Sequence, residues 1–285
     1  MASTSLTGIL YLVATPIGNL EDITFRAVRI LKEVDLIAAE DTRHTGKLLH
    51  HFQIETPQLS YHEHNAQTRI PQLLENLNAG QTIALVSDAG MPGISDPGYE
   101  LVCACADVGI VVSPIPGAAA VVSAIAASAL PSDRFIFEGF LPVKGKPRTE
   151  RLAQLATEPR TIVLYESPHR LLKTLSDLQT HLDAERKITI ARELTKRYEE
   201  FWRGTVSEAI EYFATHEPRG EFTVAIAGYT AVPQTFSKTD LLQQLEALMA
   251  KGLSPSKASR QLAQETGLSN REIYQLSLTI KQEEA

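Results

Sequence analysis

The chain has no apolar run approaching the about 18 residues that a membrane-spanning helix needs. A helical membrane protein is therefore excluded. Its first residues, MASTSLTG, lack the charged start and apolar core of a secretory signal. Cysteine occurs only as Cys103 and Cys105 in 285 residues. Two positions apart on an expected helix, they point in different directions. They are expected to be reduced packing residues in a cytoplasmic protein, with no disulfide or metal role. Two glycine signatures are also missing, the GxxxxGK[ST] phosphate cradle and a GxGxxG after the first strand. A nucleoside triphosphate is thus left without an obvious charge partner. Nor is there a cationic excess. The formal net charge is −7, which argues against generic nucleic-acid binding.

What is present suits a globular protein of two or three domains, with 44% hydrophobic residues and a mean hydropathy near zero. The charge is uneven. Residues 1–130 carry 6 Lys and Arg against 13 Asp and Glu, residues 131–203 carry 14 against 11, and residues 204–285 carry 7 against 10. An anionic partner should find the middle of the chain first.

Strand-like and helix-like segments alternate. Strands are expected over 8–14, 35–39, 58–62, 82–86 and 110–115, with helices over 23–32, 68–78 and 99–107. This β-α-β succession implies a mostly parallel, covered sheet. The pattern restarts after Pro116-Gly117. An alanine-rich helix is expected over 118–129, strands over 135–140, 161–165, 188–191 and 222–227, and helices over 149–156, 170–182 and 206–214. Beyond AGYTAVPQTFSK, three short helices fit 240–251, 256–265 and 270–280. LAQETGLSNREIYQLS resembles a helix-turn-helix, with Gly267 in the turn and Ser269 as an N-cap. A helical cap on the α/β body is the alternative. The expected organisation is an α/β domain over 1–117, a second over 118–232 and a helical domain over 233–285.

The loop VSDAGMPGISDPG, residues 86–98, follows a buried strand and holds five Gly or Pro among thirteen residues. Such a loop suits a ligand held by backbone groups, with Asp88 or Asp96 available for hydroxyls or a positive centre. S-adenosylmethionine, with its ribose diol, sulfonium and amino-acid tail, fits that description. Asp88 binds such a ligand or caps the following turn. Asp96, before Pro97, is expected to N-cap the helix from Tyr99. Asp41 and Arg43 fall in a charged turn, as a local ion pair or as substrate-positioning groups. His62 and His64 in YHEHN have no Cys or paired carboxylate to complete a metal set. They are expected in a substrate-facing polar loop. Glu166 and Arg170 in YESPHR, and Arg192, Glu193 and Lys196 in ARELTK, stand at strand ends.

TPIGNLEDIT, AAEDTRHTGKLL, VSDAGMPGISDPG, PIPGAAAVVSA, FEGFLP, YESPHRLLKTL, ARELTK and GEFTVAI follow in one order. Together they resemble the tetrapyrrole-methylase superfamily over about residues 8–280. EDTRHT, YESPHR and ARELTK point to its branch that methylates ribosomal RNA. The Gly-Asp-Pro triplet of the corrin branch is replaced by SDAGMP. The resemblance implies two α/β domains with S-adenosylmethionine in the cleft between them. It also implies a homodimer that methylates the 2'-hydroxyl of a cytidine in the decoding region of 16S rRNA, within the small ribosomal subunit. Carried onto matching positions, the donor pocket comprises Asp88, Ala89, Gly90, Ile94, Ala119, Ala120, Tyr165, Ala191, Glu221, Phe222 and Thr223. The sulfonium activates the methyl group without a metal. The enzyme must hold the hydroxyl in line and accept its proton. Glu166 and Asp41 are candidate bases, with Lys196 a third if desolvation lowers its pKa. Substrate contacts are expected from Arg43, His62, His64, Arg170 and Arg192. Lys144, Lys146 and Arg148 should add phosphate contacts from VKGKPRTER, residues 143–151, expected as an exposed, mobile loop. A tetrapyrrole C-methyltransferase would lack the helical tail and this basic loop. A ligand-sensing regulator is the other alternative.

Overall fold

The computed structural model describes residues 8–230 and 237–283. By contacts the chain divides into two units, Met1–Tyr229 and Thr230–Ala285. The first unit holds two five-stranded sheets. Strands β1 (Ile9–Val13), β2 (Leu36–Ala39), β3 (Gln58–Ser60), β4 (Ile83–Val86) and β5 (Val111–Ile115) form an all-parallel sheet in the order β3-β2-β4-β1-β5. Between them run α1 (Phe25–Glu33), α2 (Thr42–His51), α3 (Ala66–Asn78) and α4 (Tyr99–Asp107). All four residues of β4 are buried, as a central strand covered on both faces requires. Ala84 and Val86 pack with Ala27, Ile30 and Leu31 of α1, whereas Ile83 and Leu85 pack with Leu73, Leu77, Leu101 and Cys105 of α3 and α4.

The second sheet combines β6 (Phe135–Phe140), β7 (Thr161–Glu166), β8 (Lys187–Arg192), β9 (Glu200–Thr205) and β10 (Phe222–Ile226) in the order β6-β7-β10-β8-β9. Only the β6–β7 pair is parallel among the described pairings. Helices α5 (Ala120–Ala127), α6 (Gly145–Ala156), α7 (Pro168–His181) and α8 (Val206–Thr215) accompany it. One face, with Leu164, Ile190 and Val224, packs on α6, α7 and α8. The other, with Val163 and Ala225, packs on Val121 and Ile125 of α5. This is the two-sheet α/β architecture expected above.

Three elements depart from expectation. EDTRHT is no turn but the start of α2. Asp41 caps that helix, which buries only Thr45, Leu48 and Leu49, too thin an apolar stripe to show in the sequence. Strand β9, EFWRGT, went unseen because its charges mask Trp202, which packs on the second core. The basic segment 143–151 is not a mobile loop, for α6 begins at Gly145. Pro147 sits in its first turn, where a missing N–H costs nothing.

The second unit contains α9 (Lys238–Ala250), α10 (Pro255–Thr266) and α11 (Asn270–Glu283). They enclose Leu241, Leu245, Ala258, Leu262, Ile273 and Ile280. Gly267 ends α10 in the left-handed conformation, φ 70°, that glycine adopts without strain. The expected boundary at residues 232 and 233 lies outside the described residues. No helix among those described is long and apolar enough to cross a membrane.

Candidate functional site

In a parallel sheet every strand ends on the same edge, and the loops leaving the carboxyl ends gather there. The loops after β1 and β4 are joined by two backbone hydrogen bonds. Thr15 N donates to Gly90 O at 2.9 Å and Gly90 N to Thr15 O at 3.1 Å. Thr15 Oγ1 donates to Ser87 O at 3.1 Å. Gly90 takes φ +82° at this junction, a conformation that strains other residues. The ends of β2 and β4 clasp each other reciprocally. Asp88 N donates to Glu40 Oε2 and Asp41 N to Asp88 Oδ1, each at 3.2 Å. Asp88 is thus a loop fastener as well as a polar group at the edge.

Asp41 accepts from Arg43 N at 2.8 Å, Arg43 Nε at 3.1 Å and Arg43 Nη2 at 2.7 Å. The guanidinium holds this carboxyl well below the usual carboxylate range. A group so acidic is a poor proton acceptor, and its pairing with Arg43 matches the local ion pair weighed for it in the sequence. Glu40 shifts the other way. Burial raises its pKa, aided by the charges of Asp88 and Asp41, although the Asp88 amide opposes the shift. Asp96 is pushed up to about 6 by burial and by Glu40 and Asp88, against a hydrogen bond from Ser87. Nor does Asp96 cap α4. That position belongs to Gly98, at φ 146°. Glu40, Ser95 and Asp96 line a polar cavity of about 480 Å³ with His62, His64 and Tyr99. The His62 and His64 rings lie 6.0 Å apart, and buried His62 Nδ1 has no partner among the described residues. Among those residues, no group of three His, Cys, Asp or Glu is arranged to hold a metal ion.

The second sheet meets this edge through one row of residues. Tyr165, Thr223 and Ala191 pair across β7, β10 and β8, so their side chains share a face. Ala191 packs with Ile17, Ala124 and Leu194, and with partly buried Ala118 and Ala120. Tyr165 packs on the α5 side. Its pKa is raised by burial and by the Asp96 charge, while a hydrogen bond with the Val121 backbone opposes. Asp96 of the first half and Tyr165 of the second therefore feel each other across the cleft. Ala89 and Ile94 are exposed on the loop. Phe222 is buried in the core on the opposite face of its sheet, leaving only its backbone for the cleft. Ala119 is half-buried at the N-cap of α5.

In ARELTK, Glu193 and Thr195 adopt φ of 50° and 65°, costly for residues with a Cβ. Lys196 Nζ donates to Glu193 Oε1 at 2.9 Å and to Glu221 Oε2 at 3.1 Å. Burial pulls the lysine pKa down, but its two carboxylate partners outweigh burial and the net shift is upward. The lowered pKa on which a role for Lys196 as a base depended is therefore not found in this arrangement. Its stem lies against Gly18, whose added Cβ would fall 2.4 Å from Lys196 Cγ. Arg192 Nε donates to Arg219 O at 2.7 Å, and Arg192 Nη1 lies 3.5 Å from Glu200.

Glu166 and Arg148 also depart from expectation. The Glu166 carboxylate is fully buried. It accepts from Ser167 N at 2.8 Å and Thr174 Oγ1 at 2.6 Å, and Arg170 Nε lies 3.4 Å away. Buried and faced by three donors of its own chain, this group serves as a structural anchor and leaves a substrate hydroxyl little access. Arg148 is 5% exposed. It donates to Asp177 Oδ2 at 2.7 Å, Pro142 O at 2.9 Å and Thr174 Oγ1 at 2.9 Å, so it cannot grip phosphate. Lys144 is exposed, as is Lys146, which faces Glu150 at 3.5 Å. Arg43 is also exposed. Arg170 Nη2 donates to Leu141 O at 2.6 Å. Glu40 is the site acid that motif reading passed over, and Asp96, offered by the sequence for hydroxyls or a positive centre, stands with it in the cavity. Glu40 directly precedes Asp41 at a strand end, and that placement was the available signal.

The profile of the Tetrapyrrole (Corrin/Porphyrin) Methylases matches residues 9–210. The chain belongs to the tetrapyrrole methylase family. Within that family, it is 62% identical over 275 residues to "Ribosomal RNA small subunit methyltransferase I" of Synechocystis sp. (strain ATCC 27184 / PCC 6803 / Kazusa), covering 96% of this chain and 99% of that protein. A protein of the same name from Halalkalibacterium halodurans is 50% identical over 273 residues, with 94% of each chain covered. Among solved structures, uroporphyrin-III C-methyltransferase from Thermus thermophilus, complexed with S-adenosyl homocysteine, superposes with a TM-score of 0.56 at 21% identity. It covers 77% of this chain and 97% of its own. At that identity the likeness establishes the tetrapyrrole methylase fold.

Proposed function

We propose that this chain transfers a methyl group from S-adenosylmethionine to the 2'-hydroxyl of a cytidine in the decoding region of 16S rRNA. It would act as a cytoplasmic homodimer on the small ribosomal subunit. One observation carries the substrate class: the end-to-end match with proteins named as small-subunit rRNA methyltransferases. The cleft is chemically suited to the donor. Backbone around Gly90 and the small residues Ala118, Ala120 and Ala191 leave room for a large ligand. The half-buried acids Glu40, Asp88 and Asp96 favour a positive centre. Asp88, Ala89, Gly90, Ile94, Ala119, Ala120, Tyr165, Ala191, Glu221, Thr223 and the Phe222 backbone would hold it. Bound there, the donor supplies a methyl group already activated by its sulfonium.

The remaining chemistry belongs to the chain. The ribose hydroxyl must be oriented and must lose its proton as the new bond forms. Asp96 is the best-suited acceptor. It lines the polar cavity beside His62 and His64, and its pKa of about 6 leaves it ionised at neutral pH yet more basic than an ordinary aspartate. The test uses small ribosomal subunits with a radiolabelled methyl donor, followed by alkaline hydrolysis and nucleotide mapping. A label at one alkali-resistant cytidine linkage is the expected result. A label on a base, or on a tetrapyrrole and not on RNA, refutes the assignment.

A further inference from the structure

Strand β6 runs in register with β7 from Phe135, opposite Thr161, to Phe137, opposite Val163, and then slips. The next pair is Phe140 with Tyr165, three residues on β6 against two on β7. Gly139, at φ +59°, is in the left-handed conformation within this bulge. Without the extra residue, Phe140 would face away from Phe137. With it, both rings lie on the side of Val163 and Tyr165. Bulges beside active sites re-aim side chains in this way. The two rings then differ. Phe137 is half-buried against the core, its ring centroid 4.8 Å from that of Tyr165. Phe140 touches the same ring at 5.7 Å and is 52% exposed.

Its surroundings define what covers it. A Cβ on Gly139 would fall 2.9 Å from Ser95 Oγ, so the bulge adjoins the loop that carries Asp96. Cations follow closely along the chain and beside it. Arg170 is bonded to the carbonyl of Leu141, the residue after Phe140, and Lys144 is exposed four residues on. A bare ring beside an acidic cavity, with cations close to its own strand end, fits a flat, uncharged group flanked by phosphates. We propose that Phe140 is the stacking platform for a nucleobase of the RNA substrate at the mouth of the cleft. This rests on the RNA reading above.

Stacking on an aromatic side chain is sequence-tolerant and accounts for about a tenfold or larger effect per base. The test compares the full-length parent with Phe140→Ala and Phe140→Trp on small ribosomal subunits. For Phe140→Ala, the KM for RNA should rise about 10-fold or more, with donor affinity by calorimetry and oligomeric state unchanged. Phe140→Trp should retain a near-parental KM, and its added fluorescence should be quenched when RNA binds. The proposal is overturned if Phe140→Ala keeps the parental KM, if its main loss is in donor affinity, or if it changes oligomeric state. The first outcome means no stacking, the second an adenine platform and the third a surface covered by a second copy. An inactive parent would instead refute the RNA reading itself.

Discussion

Asp96 and Glu166 are both carboxylates near the mouth of the cleft, and their partners separate them. Every oxygen of Glu166 is taken by a donor within its own half of the molecule. Asp96 shares its surroundings with Glu40 and Asp88, and its pKa rises from 3.8 to about 6. Because the folded form binds its proton more tightly than the unfolded chain, stability falls as pH rises from about 4 to about 6, by on the order of 1–2 kcal/mol after solvent screening. Asp96→Asn removes that penalty, so the variant should gain stability over the parent at pH 7 and not at pH 3.5, measured by urea unfolding. It should lose about 100-fold or more in single-turnover methyl transfer, and with it the parent's rise in rate through pH 6. Parental rates with a parental pH profile would remove Asp96 from proton transfer. Sequence reading saw the acidic loop but assigned Asp96 to a cap, because Asp before Pro ordinarily starts a turn or helix. Burial and neighbouring charge, which set its chemistry, arise only when β2 and β4 are brought side by side.

YESPHR and VKGKPRTER form one fastening that ties α6 and α7 to β7. Asp177, Arg148, Thr174 and Glu166 form a chain of hydrogen bonds, and Arg170 closes its far end on Leu141. Arg148→Ala takes the donor away from Pro142 O, Thr174 Oγ1 and the part-exposed Asp177 carboxylate, so it should cost about 1–3 kcal/mol. Glu166→Gln should also destabilise, by about 1–3 kcal/mol, while single-turnover rates of the folded variant stay near the parent's. Chemical denaturation and single-turnover kinetics check both. A folded Glu166→Gln variant with a large rate loss would restore Glu166 as the base. Regular strands such as ILYLV and IALV were legible because their apolar runs are dense. The beginning of α6 was not. Gly145, Pro147 and three cations read as a loop, and only the half-buried Asp177 and the buried Thr174 show why Arg148 turns inward.

The first unit as a whole is polarised, with acids at the carboxyl edge of the parallel sheet and exposed cations beside β6 and α6. An acidic chain of net charge −7 can approach RNA only in an orientation that keeps phosphates off Glu40, Asp88 and Asp96. A base or ribose can enter the acidic cavity while the backbone lies along the cationic rim. The motif order made this architecture and the cleft legible. The polarity was visible only as a charge difference between segments, since its direction depends on which cations remain free. Arg148 is consumed inside the fold, leaving Lys144 and Lys146 from the basic segment. Each phosphate neutralised on a single strand contributes about 0.7 to the slope of log affinity against log salt. Replacing Lys144 and Lys146 together with Gln should therefore flatten that slope by about 1.4 at most. Lys146, which faces Glu150, should account for the smaller part. Donor affinity should stay the same, because neither lysine is among the residues proposed to hold the donor. Binding of small ribosomal subunits at several salt concentrations provides the comparison. Superimposable salt curves for parent and double variant would place the phosphate grip on other cations, with exposed Arg43 beside the acidic edge the first to test.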